Sequence, residues 1–182
     1  MIITKEFLRK HNASKHGLDY WGKVNKPDLA DFCNQALLDD HFDYANWLIC
    51  RCMSVKNDRV YAVHAAELVL HIFEETYPDD KRPHEAIAAA KAVLENDNEE
   101  TRVAAVNAAY TAAYTAAYTA GNSAAAFAAA RAACAAAAAY TAAYTAADAA
   151  FAAAYSAADA AADAAVKTAI ISYGLKLIKE GE

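Results

Sequence analysis

The stretch "YTAAYTAAYTA" spans Tyr110 to Ala120 and returns at Tyr140 to Ala150 as "YTAAYTAADAA". A residue turns an α-helix by about 100°, so a four-residue spacing overshoots one turn by only about 40°. Tyr110, Tyr114 and Tyr118 therefore share one side of a helix, with Thr111, Thr115 and Thr119 beside them. Around them, 38 of the 62 residues from Ala104 to Ala165 are alanine, the strongest helix former. The single interruption, "GNS" at Gly121 to Ser123, offers a left-handed C′ glycine followed by a candidate N-cap. The expectation is a hairpin of two long alanine-rich helices, or a kinked pair.

The second arm carries its stripe further. Tyr140, Tyr144, Asp148, Phe151, Tyr155, Asp159, Asp163, Val166, Ile170, Tyr173 and Leu177 advance 37 residues in ten steps, a mean of 3.7. That is close to an 11-residue repeat and disfavours a left-handed heptad coiled coil. Aspartates in phase with tyrosines set the orientation, because an unpaired buried carboxylate costs several kcal/mol (roughly, by transfer). Alanine faces are then the contact surface between helices, and the Tyr/Asp stripe faces solvent, a groove or a partner until Val166, where it turns apolar. The competing arrangement puts the tyrosine rings in the interhelical core with their hydroxyls at its edge.

Upstream, residues 1–97 have ordinary globular composition, with helical patterns at Thr4 to His11, Pro27 to Leu38, Phe42 to Met53 and Asp58 to Glu75. The last is apolar around most of its circumference (Val60, Val63, Leu68, Leu70, Ile72, Phe73), which predicts a central helix. In "TYPDDKRPHEAIAAAKAVLEN", Asp79 or Asp80 caps a helix entered through Pro83. Only three prolines and five glycines punctuate the 182 residues, and no segment alternates with a two-residue period. The fold class is all-α: a globular helical core over 1–97 with an alanine- and tyrosine-rich hairpin over 98–182 packed on it, one structural unit.

Charge and chemistry exclude more than they select. A net charge of −6 argues against general nucleic-acid binding or an anionic membrane surface. The alanine region carries Arg131 against Asp148, Asp159 and Asp163 and has no strongly apolar 20-residue run, so no membrane span is expected. The N-terminus lacks the pattern of a signal peptide, which makes cytoplasmic the default. Cys33, Cys50, Cys52 and Cys134 read as free buried thiols, since C-x-C is neither a zinc knuckle nor a redox pair. His64, Glu67 and His71 share a helix face, the sharpest metal-like constellation, yet they lack further ligands and sit in an apolar helix. His84 and Glu85 suit a first helical turn. There is no phosphate loop, nucleophile elbow or Cys/His pairing. The expectation is a non-enzyme with no cofactor and no metal.

The block "NWLICR" at Asn46 to Arg51, then "AELVLHIFEETYPDDKRPHEAIAAAKAVLE" at Ala66 to Glu95, followed by an alanine-, tyrosine- and aspartate-rich tail, resembles a family of immunity proteins common in bacterial genomes and prophages. The matching elements are Trp47-Leu48, the apolar run Val69 to Glu74, and Asp80 to Ala90, where a lysine insertion (Asp-Lys-Arg-Pro) departs slightly from the D-R-P pattern. The resemblance implies a stoichiometric inhibitor that neutralises a toxin, or, in a phage setting, an anti-defence protein acting on a defence effector.

Two binding modes follow. In the first, a protein partner docks on the exposed Tyr/Asp surface, since tyrosine supplies contact area with few torsions to freeze. In the second, the chain is a sponge for a nucleotide-like signalling molecule, with Tyr110, Tyr114, Tyr118, Tyr140 and Tyr144 walling a cleft and Arg102 or Arg131 contacting phosphate. Cations for that cleft are scarce, and a homo-oligomer packed through alanine faces would supply more. The candidate binding residues are Tyr110, Tyr114, Tyr118, Tyr140, Tyr144, Asp148, Tyr155, Asp159, Arg102 and Arg131.

Overall fold

A computed structural model describes residues 1–118, 124–139, 146–161 and 163–181. Among them the chain is all-α, with ten helices and no strand: α1 (Lys5–Lys10), α2 (Lys15–Val24), α3 (Leu29–Leu38), α4 (Phe42–Cys52), α5 (Val55–Thr76), α6 (Arg82–Glu95), α7 (Glu99–Tyr118), α8 (Ala124–Ala138), α9 (Ala146–Ala161) and α10 (Ala164–Gly181).

Most starts are written in short polar side chains. Thr4, Ser14 and Ser54 each accept a hydrogen bond from the backbone N–H three residues on, and Asp28 Oδ1 accepts from Ala30 and Asp31. Such caps satisfy N–H groups that have no partner within the helix. Asp80 accepts from the Arg82 N–H and clamps the Arg82 guanidinium (Nε–Oδ1 2.8 Å, Nη2–Oδ2 2.5 Å), with Pro83 in the first turn of α6 as expected. Helix α2 is absent from the helical patterns of the sequence because Gly17 and Gly22 depress its propensity. Its Ser14 cap and the packing of Leu18, Tyr20 and Trp21 on the core outweigh that cost.

Helices α7, α8 and α9 form one layer, with α8 packed against both neighbours. Beneath them α5 packs on α6, α8, α9 and α10, and α6 packs on α7 and α8. Helix α5 packs on four of its neighbours, but on a partly different set of residues from the apolar pattern: Tyr61, Ala62, Ala65, Ala66, Val69 and Phe73 are fully buried, whereas Val60, Leu68, Leu70 and Ile72 are half-buried. Helix α8 explains the alanine. Ala129, Ala130, Ala132, Ala133, Ala136 and Ala137 are all buried, and in 100° steps they fall within an arc of about 160°, while Ala124 and Arg131 on the other side are exposed. That broad face meets α5, α6, α7 and α9 and has room for methyl groups and little else; close backbone approach supplies dispersion contacts with no rotamer entropy to lose.

The second alanine arm is not one continuous helix. Helix α9 stops at Ala161 and α10 starts at Ala164, with the Asp163 carboxylate accepting from the Ala165 N–H at 2.8 Å and its carbonyl accepting from Lys167. The hairpin expectation is corrected accordingly: within the described residues the alanine region from 104 to 161 contributes three helices, and α10 forms a fourth. Asp163, read as a stripe residue, is a helix start, because a short carboxylate can satisfy amide groups that a continuing helix would engage. Beyond it α10 packs on α4 and α5. Gly174 permits this contact, since a Cβ there would lie 2.6 Å from Ile49 Cγ2 and 2.9 Å from Tyr61 Cε2.

A buried polar knot joins the N-terminal helices to the alanine layer. Asn46, fully buried on α4, donates from Nδ2 to the Phe151 carbonyl of α9 (3.0 Å), while its Oδ1 accepts from the Tyr61 hydroxyl of α5 (3.0 Å). Just outside it, Arg51 pairs with Asp148 at 2.6 Å and lies over the Trp47 ring.

Candidate functional site

The acidic run Asp39-Asp40-His41-Phe42-Asp43 turns the chain from α3 into α4. Asp40 takes a left-handed conformation (φ 57°), one that aspartate tolerates better than most residues, and the His41 N–H returns to the Ala36 carbonyl at 2.7 Å. Phe42 is anchored in the core, so Asp40 projects into solvent and Asp43 sits in the first turn of α4, where the helix dipole favours a carboxylate. Asp39 accepts from the Tyr20 hydroxyl (2.8 Å) and from Gln35, which holds its carboxyl below the usual range. The corner is thereby fixed.

Helix α9 lies against this corner and brings Tyr155 and Asp159, one turn apart, to face it. Together Asp40, Phe42, Asp43, Tyr155, Ala158, Asp159 and Lys167 line a groove of about 310 Å³. Three carboxylates face one ammonium there, and Lys167 binds Asp40 at 3.0 Å. Tyr155 is 47% exposed and stacks on Phe151 (5.9 Å between centroids), so its ring is steadied while its edge stays open. The groove is an acidic surface with an exposed aromatic ring in its lining.

The other sequence candidates fall elsewhere. Tyr110 (74% exposed) and Tyr114 (56%) lie on α7, and Arg82 stands 5.7 Å from the Tyr114 ring. Asp148 is exposed and paired to Arg51. Arg102 is bound to Asp97 (2.5 Å), which Arg59 also contacts, and Arg131 is exposed on α8. Tyr140 and Tyr144 lie outside the described residues, as does the Tyr118 side chain. Helix α8 packs between α7 and α9, so Tyr110 and Tyr114 do not share a wall with Tyr155. Of the sequence candidates, Tyr155 and Asp159 lie in the groove; Asp40 and Asp43, which join them there, are not among those candidates, and the signal for them was the acidic run itself, which no periodicity links to residue 155.

The metal-like triplet has other employment. His64 stacks on Tyr173 at 3.8 Å, and burial lowers its pKa; Glu67 pairs with Lys91. Among the described residues no three potential metal ligands cluster. The thiols are free, and burial raises the pKa of Cys33, Cys50, Cys52 and Cys134 alike. A buried thiol with a raised pKa holds little of the reactive thiolate. Among the described residues no helix is long and apolar enough to cross a membrane.

Comparison with known families settles the class. The family model described as Imm-5 like putative immunity protein matches residues 56–178. The chain belongs to this family. The match runs from α5 to α10 and so covers Tyr155 and Asp159, while Asp40 and Asp43 lie ahead of it. Membership suggests a protein that acts by binding a toxin or effector rather than by catalysis. No curated protein and no solved structure shows significant similarity to the chain.

Proposed function

We propose that this protein is a cytoplasmic, non-enzymatic inhibitor of the immunity type, phage-borne anti-defence proteins included, which neutralises a toxin or effector protein by stoichiometric binding through the acidic Tyr155 groove. The observation that carries the reading is the convergence of Asp40 and Asp43 from the α3–α4 corner with Tyr155 and Asp159 from α9. A partly exposed aromatic flanked by carboxylates on rigid helices suits a basic protein surface, since the carboxylates steer encounter and the ring supplies contact area. We also read residues 1–97 and 98–182 as one structural unit, supported by the Asn46–Phe151 and Arg51–Asp148 contacts that cross between them.

The nucleotide sponge is the weaker reading: Arg82 and Arg102, the cations flanking the described part of the α7 stripe, are tied to Asp80 and Asp97. Native mass spectrometry of the protein from its own host separates the two. The inhibitor reading requires a one-to-one complex with a protein that arrests growth when expressed alone and ceases to do so when this chain is co-expressed. A released nucleotide with no protein partner would refute it.

A further inference from the structure

Beside the acidic groove lies a second cavity of about 240 Å³, lined chiefly by Leu8, Trp21, Phe32, Tyr44, Trp47 and Phe151. Three features connect it to the groove and describe what it would hold. Asp43 lines both spaces, and the stacked pair Phe151–Tyr155 has one ring in each lining. The walls are mainly aromatic and aliphatic, with Asn12, Ser14 and Asp43 as their polar residues, and suit a bulky apolar side chain. Trp21 Nε1 is buried and has no acceptor in the protein, an unusual state for an indole donor.

Resting on the inhibitor reading above, we propose that the cavity and groove together form one docking site for a short segment of a protein partner in which a bulky apolar residue is followed by lysine or arginine. The apolar side chain fills the aromatic cavity that Trp21 helps to line, and the cation meets Asp43 with Asp40 and Asp159 nearby. Charge chooses this occupant. On the groove side, carboxylates outnumber the ammonium, and Lys167 is already engaged by Asp40; on the Trp47 side, Arg51 is matched by Asp148. A wholly apolar occupant would leave the carboxylates unused, and an acidic one would be repelled.

The test uses the full chain labelled with ¹⁵N and two capped dipeptides, N-acetyl-Leu-Arg-amide and N-acetyl-Leu-Glu-amide, titrated to about 20 mM. The chain has two tryptophans, so two indole N–H signals report directly, and Trp47→Phe assigns them. The expected result is a saturable shift of the Trp21 indole signal with the Leu-Arg probe, at least fivefold tighter than with Leu-Glu, the preference collapsing in 0.5 M salt. Asp43→Asn should weaken the Leu-Arg probe at least threefold and, with one repulsive charge gone, strengthen Leu-Glu. No movement of the Trp21 signal, or equal binding of the two probes, overturns the proposal. Ala13→Phe, which fills the cavity away from the groove, separates it from the broader reading. If that variant, shown to be folded by its ¹⁵N spectrum, still forms the one-to-one complex and still protects cells, the docking mode is wrong while the inhibitor function stands. Loss of probe binding and protection together supports the docking mode.

Discussion

Replacing Asp58 with asparagine should change how stability depends on pH, by an amount the structure allows to be worked out. Asp58 lies one turn into α5, is 3% exposed, and its Oδ1 accepts no hydrogen bond from the protein. Burial pushes its pKa from 3.8 up to about 7, against the pull of the Arg51 guanidinium and with a further push from Asp148. The unfolded chain gives up this proton near pH 4 while the folded chain holds it until about pH 7, so stability from this group is complete below the unfolded pKa and falls as pH rises toward the folded one. At about 1.36 kcal/mol per pKa unit, the two units between pH 5 and pH 7 correspond to a swing of about 3 kcal/mol. An asparagine side chain cannot ionise, so the stability of the Asp58→Asn variant relative to the native chain should rise by roughly that amount between pH 5 and pH 8.5. The absolute difference at either pH also contains the cost of the new amide donor, about 1–3 kcal/mol if it finds no acceptor. Taking the change between the two pH values cancels this cost, along with the titration of His64 and the other carboxylates. Urea unfolding of both proteins at pH 5 and pH 8.5 measures it. A change below about 1 kcal/mol, or one of opposite sign, would refute the argument that Asp58 is buried without adequate compensation.

Three further outcomes are expected. Gly174→Ala drives a methyl into Ile49 and Tyr61 and should destabilise by about 1–3 kcal/mol, read as a lower urea midpoint with an unchanged slope; an unchanged midpoint would mean that α10 moves aside freely. Asn46→Ala strands the Tyr61 hydroxyl and removes the hydrogen bond to the Phe151 carbonyl and should cost about 2–4 kcal/mol, whereas Tyr61→Phe, which removes one hydroxyl, should cost less. Tyr155→Ala combined with Asp159→Lys should alter stability by less than about 1 kcal/mol, because both residues are exposed, while weakening the partner complex at least tenfold; intact affinity in a calorimetric titration would remove the groove from the interface.

The amino-acid sequence by itself determined the secondary structure and the material of the contacts. Alanine content, scarce proline and glycine, and capping residues such as Ser14, Asp28 and Ser54 act within a few residues, and local effects can be read locally; the cap expected from Asp79 or Asp80 is not made, since Lys81 stands at the N-cap of α6 with no side-chain cap hydrogen bond. The same holds for the exposure of Tyr155, since a stripe that includes Asp148 and Asp159 resists burial; Tyr110 and Tyr114, whose stripe has no aspartate, are exposed in the structure without that sequence argument. Asp163 marks where local reading failed: a carboxylate in phase with a stripe and a carboxylate that starts a helix look alike until the chain around them is placed. Tertiary structure alone decided which helices became neighbours. Alanine faces are nearly interchangeable, so periodicity could not say that α8 would separate the α7 tyrosines from Tyr155, nor that α9 would lie against the α3–α4 corner. That choice rests on contacts between residues about a hundred positions apart, such as Asn46 with Phe151 and Arg51 with Asp148, and it is what brings Asp40 and Asp43 beside Tyr155 and Asp159.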